Sequence, residues 1–290
     1  MSLNQHVRAG EEHDDHGGLQ RDVSALVGRR DMLRMMGGLS LAGLLAACGV
    51  NVSGTTTSAT VMRSSISTAG ATTTAGGATT SDSASAGEEI PDETAGPFPA
   101  DGSNGPNVLD DEGIVRPDIT SSIGGSTGVA EGMPISFNLS LVDAATGSAL
   151  PGGVVYLWHC TADGRYSLYE IEDENYLRGV QVADDAGRIS FTSVFPGCYA
   201  GRWPHAHFEV YSSIEEATAG SAAIKTSQLA LPQADCEAVY GDSRYGRSAQ
   251  NLSRLSLDTD GIFADGWTDQ LATMSGSGSA GYTASLLVRV

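Results

Sequence analysis

Residues 196–210 read PGCYAGRWPHAHFEV, which puts Tyr199, Arg202, His205 and His207 within nine positions. If HAHFEV is a strand, residues two apart project to one face about 6–7 Å apart. His205 and His207 then point the same way, and Ala206, Phe208 and Val210 point to the other. Two imidazoles at that spacing reach one ion at about 2.0–2.2 Å. A pair of surface or structural histidines is the plain alternative, so further donors have to be found.

Of the six histidines, His6, His13 and His16 lie far upstream, and His159 is the remaining candidate. His159 alternates with Trp158 at a strand end and reads as a hydrogen-bonded core residue. Tyrosine is the better source. Tyr166 ends DGRY just after the strand VVYLWHC, and Tyr199 stands six residues before His205 across a Pro-Gly turn. A phenol with a pKa near 10 ligates only when a strongly Lewis-acidic ion removes its proton. Two tyrosinates with two histidines therefore suit ferric iron better than zinc or copper(I). The competing reading leaves both tyrosines as rim aromatics, and lets Cys198 join His205 and His207 at a soft metal.

The elements that must position these residues are short strands. Residues 135–142 (ISFNLSLV) alternate apolar and polar, and 154–160, 188–195, 205–212 and 282–290 repeat the signal. No segment carries a long helical stripe, and YLRG at 176–179 reads as a short turn at most. Short strands with Gly- and Pro-rich connections specify an all-β antiparallel sandwich with long loops around the site.

The first third of the chain is of another kind. Arg29-Arg30, a short apolar run and LAAC at 45–48 form an export signal of the twin-arginine type. The run is too short for a stable membrane span. LAAC resembles a lipobox, which makes Cys48 the expected lipid anchor of an extracellular or cell-surface protein. Residues 49–89 are rich in Ser, Thr, Ala and Gly and are expected to be a disordered tether. Residues 90–290 are left as one domain.

The net charge is −19. Residues 1–47 hold five Arg against six Asp or Glu, so the remainder keeps −18. That excludes nucleic acid and anionic lipid as partners, so membrane contact is expected through the anchor alone. Cys160, Cys198 and Cys236 follow Cys48, and an oxidising compartment allows one disulfide among them. Cys198–Cys236 is the preferred pair, although sequence does not choose.

VVYLWHCTADGRY, GRISFTSVFPGCY, GRWPHAHFEV and TSQLALP, in this order and spacing, resemble the intradiol ring-cleaving dioxygenases of the catechol and protocatechuate 3,4-dioxygenase superfamily. TAGPFPADGSNGPNVL at 94–109 and VRPDI at 115–119 resemble that family's opening segment. The likeness covers about residues 90–235. It implies that Tyr166, Tyr199, His205 and His207 bind non-haem Fe(III), with Tyr199 and His205 axial. Arg202 would face the substrate ring, and Gln228 would line the same pocket. Tyr199 would leave the metal as a base when substrate binds. The implied reaction joins a catechol and O2 and cleaves between the hydroxylated carbons, giving a cis,cis-muconate-type diacid. A glycan-binding or adhesion module, with Trp158, Trp203 and Trp267 as contacts, is the alternative from another class.

Overall fold

The computed structural model describes residues 84–290. The expected export signal, the expected Cys48 anchor and nearly all of the expected tether lie outside the described residues. Among those described, no helix is long and apolar enough to cross a membrane.

Among the described residues eight strands form two four-stranded sheets, the sandwich expected from the alternating segments. The first sheet runs β4-β1-β8-β7, from β1 (Pro134–Val142), β4 (Arg188–Val194), β7 (Thr273–Gly276) and β8 (Tyr282–Arg289). The second runs β3-β2-β5-β6, from β2 (Val154–Trp158), β3 (Arg178–Val182), β5 (His205–Tyr211) and β6 (Lys225–Ala230). The paired strands are antiparallel except β1 and β8, which run parallel. Among the described residues three short α-helices, α1 (Ile214–Thr218), α2 (Gln233–Val239) and α3 (Ser248–Leu252), sit in the connections.

The core lies between the sheets. Phe137, Leu139 and Leu141 of β1 and Phe191 of β4 meet Val155 and Leu157 of β2 and Ala206, Phe208 and Val210 of β5. The outer face of the first sheet is more open, and β4 alternates exposed and buried residues over most of its length. The second sheet is covered on both faces, so every residue of β2 and β5 is buried. Its outer face carries Val154, Tyr156 and Trp158, packed with Phe98, Val108, Leu109 and Tyr166 from the loops.

The segment read as a turn at 176–179 instead begins a strand. Arg178 and Gly179 pair with Trp158 and Leu157. A five-residue strand containing Arg and Gly has no periodicity to read, and its stability comes from the neighbour it pairs with. The preferred Cys198–Cys236 pair is not bonded in this structure. Cys160, Cys198 and Cys236 are all free and buried. Each sulfur faces a different backbone carbonyl: Gly197 for Cys160, Arg202 for Cys198 and Leu231 for Cys236.

A candidate metal centre on the outer face of the second sheet

β5 divides its side chains as the alternation requires. Ala206, Phe208 and Val210 enter the core, while His205 and His207 point to the loop-covered face and are each 2% exposed. His207 pairs with Trp158 on β2 and with Gln228 on β6, so the three form one row across the sheet. Trp158 and His207 stack at 5.0 Å between ring centroids and 4° between planes.

Two loops deliver the tyrosines. Gly197 N–H donates to the Thr161 carbonyl at 3.0 Å, joining the turn that carries Tyr166 to the one that carries Tyr199. Gly164 sits at φ +87, and a Cβ there would stand 3.1 Å from that of Tyr199. Only glycine allows this approach in that backbone conformation. The four rings then close a circuit. Ring centroids are 6.0 Å apart for Tyr166 and Tyr199, 5.8 Å for Tyr199 and His205, 4.6 Å for His205 and His207, and 6.3 Å for His207 and Tyr166.

The imidazoles are set up as donors to an ion. His205 Nδ1 donates to the Trp203 carbonyl at 2.5 Å, which leaves Nε2 with its lone pair. That Nε2 lies 3.0 Å from His207 Nε2 and 3.4 Å from the Tyr199 hydroxyl. Burial, and then the Arg202 charge, hold His205 well below the ordinary imidazole range. Burial, followed by the His205 and Arg202 charges, does the same for His207. Both are therefore neutral, which is the protonation state that a metal takes. Two buried, neutral imidazoles converging beside two phenols fit a hard trivalent cation.

The soft-metal alternative is not assembled. Among the described residues no three His, Cys, Asp or Glu side chains are placed to hold a metal, so Cys198 does not complete a site with His205 and His207. His159 is the core residue expected of it: Nδ1 lies 2.7 Å from the Cys160 carbonyl, and Nε2 lies 2.7 Å from Ser193 Oγ.

Arg202 and Gln228 stand together beside the rings. Arg202 is 1% exposed, and its Nη2 donates to Gln228 Oε1 at 2.6 Å. Gln228 Nε2 donates in turn to the Thr94 carbonyl at 2.9 Å. One contributor was missed from sequence. Asp260 forms a buried ion pair with Arg202, its Oδ2 lying 3.1 Å from Nε. It comes from an irregular stretch without strand or helix periodicity, and no signal there could have found it.

Residues 118–224 match the family model described as Dioxygenase. That segment contains Tyr166, Tyr199, Arg202, His205 and His207, and it ends before Gln228 and Asp260. The fold is similar to that of an intradiol ring-cleavage dioxygenase from Tetranychus urticae, with 22% identity, a TM-score of 0.55, and coverage of 70% of this chain and 94% of that one. A second dioxygenase crystal structure gives 20% identity and a TM-score of 0.56 over the same shares. No curated protein matches the sequence. Residues 118–224 thus match a dioxygenase model and are set in a fold similar to that of an intradiol ring-cleavage dioxygenase.

Proposed function

We propose that the domain is a non-haem Fe(III)-dependent intradiol dioxygenase, which cleaves a catechol with O2 to a cis,cis-muconate-type diacid. One observation carries the reading: Tyr166, Tyr199, His205 and His207 close one circuit of rings with Arg202 beside it. Four neutral or phenolic donors of this kind have little use as a cluster without a strongly Lewis-acidic ion. The family match and the shared fold support the same reading.

When bound, ferric iron would supply the Lewis acidity that orients and deprotonates a catechol and opens its ring to O2. The chain's own residues would do the rest. Tyr166, Tyr199, His205 and His207 would hold the ion, and the Trp203 carbonyl keeps His205 in the ligating tautomer. Tyr199 is the partly exposed member of the four. It is the one that would turn outward and take a catechol proton on its phenolate oxygen. Arg202, a permanent cation in a buried place, would stabilise negative charge developing on the substrate ring. Gln228 holds the far edge of that guanidinium.

The acidic balance and the expected leader extend the proposal to an exported, surface-anchored enzyme acting on environmental catechols. Purified protein tests the core of it. Tyrosinate-to-iron charge transfer gives a red-brown colour, and catechol, protocatechuate or hydroxyquinol should drive oxygen uptake with muconate-type absorbance. A colourless protein holding stoichiometric zinc would overturn the metal assignment. Iron-loaded protein that cleaves none of a broad catechol panel would overturn the activity.

A further inference from the structure

Asp260 belongs to none of the sequence motifs and lies outside the family-matched segment, yet its carboxylate is 0% exposed and gathers the elements around Arg202. Oδ2 accepts from Arg202 Nε at 3.1 Å and from the Trp203 backbone N–H at 2.7 Å. Oδ1 accepts from the N–H groups of Ile262 and Phe263 at 2.8 and 3.1 Å. A planar guanidinium held at Nε by Asp260 and at Nη2 by Gln228 has one orientation left to it. The Phe263 ring closes the same place, with Arg202 Cζ 5.8 Å from its centroid. Trp203, whose N–H Asp260 takes, presents the carbonyl that fixes His205 Nδ1.

We propose that Asp260 is a positioning residue that aims the Arg202 guanidinium and, through Trp203, steadies His205. The kinetic part of this inference rests on the dioxygenase reading above, in which Arg202 faces the substrate ring. A carboxylate that merely capped the turn Phe263–Asp265 would affect folding, and its loss would be felt equally with or without Arg202. A carboxylate that acts through Arg202 gives a different pattern.

The experiment is a double-mutant cycle on the iron-loaded protein with Asp260→Asn, Arg202→Gln and both together. Asp260→Asn should lower kcat for catechol about tenfold or more with KM changed less than about threefold, while iron content and tyrosinate absorption are kept. In the Arg202→Gln background the same change should cost less than about threefold. Equal losses in both backgrounds would overturn the proposal. A second measurement stands apart from turnover and from variants that fail to fold. In protein with gallium(III) in place of any ferric ion, the Arg202 Nε–H should give a resolved, slowly exchanging nuclear magnetic resonance signal. Exchange as fast as that of a free arginine would overturn the pairing even if catechol is cleaved. If no catechol is cleaved but the signal is protected, the dioxygenase reading fails and the Asp260–Arg202 pairing stands.

Discussion

Trp158 lies flat against His207, its cross-strand partner, with 4° between the two ring planes. The indole therefore fixes the plane in which the His207 lone pair points, while the Trp203 carbonyl does the same for His205. Neither partner belongs to the proposed ligand set, and both come from the scaffold on which those four residues are mounted. On the loop side Tyr166 is buried and Tyr199 is partly exposed.

Tyr199→Phe should perturb the charge-transfer band and, if its phenolate takes a substrate proton, lower kcat by about 100-fold or more. Tyr169→Phe should do neither. The Tyr169 hydroxyl accepts from Ala100 N–H at 2.9 Å and donates to Asn104, and its ring packs on Phe98 away from the imidazoles. Visible spectra and steady-state kinetics of the two variants make the comparison.

Gly164→Ala should cost about 1–3 kcal/mol, because alanine is strained at φ +87. Its methyl would press on the Tyr199 Cβ, so the tyrosinate band should shift as well as the melting temperature. A stability loss without any spectral change would mean that the two loops move independently.

Buried His159 is held down to about 4, chiefly by loss of hydration, while the unfolded chain takes up its proton below about 6.5. The unfolded state therefore binds more protons between these values, and stability rises with pH across that window. As pH falls from 6.5 to 4, metal-free protein should lose about 3 kcal/mol through this group alone. Urea unfolding at several pH values should show a slope about one proton shallower in His159→Gln.

The three described cysteines should resist thiol reagents in the native protein. Burial, followed by the nearby Asp260 charge, pushes Cys198 up to about 12, and burial also raises Cys160 and Cys236. Denaturant should release three reactive thiols from the domain. Recovery of one would show that a disulfide forms among them.

The strands were legible wherever one face meets water, because alternation then writes itself into the sequence. β1, β4 and β8 are of this kind, and β2 and β5 carry a strand signal as well although both of their faces are buried. β3, β6 and β7 were missed as strands, being four to six residues long without an even alternation. Arg178 shows the difficulty: a fully buried arginine within a strand is satisfied by the Phe98, Pro99 and Ser167 carbonyls, which only the folded loops supply. In the site, His205 and His207 share a face as their spacing suggested, and Tyr166 and Tyr199 stand beside them as the family resemblance implied. Asp260 could not be read, since an isolated aspartate becomes a partner of Arg202 only once the tail has packed.

β8 enters the first sheet between β1 and β7, parallel to β1, and sets Ile135 opposite Tyr282. The sheet can therefore close only after nearly the whole domain has been synthesised, and closing so long a loop slows folding. Until then β1 has an unpaired edge of the type that recruits wrong partners. The domain should refold slowly, with a high-contact-order transition state, and the Asp260 segment should be among the last parts to find its place.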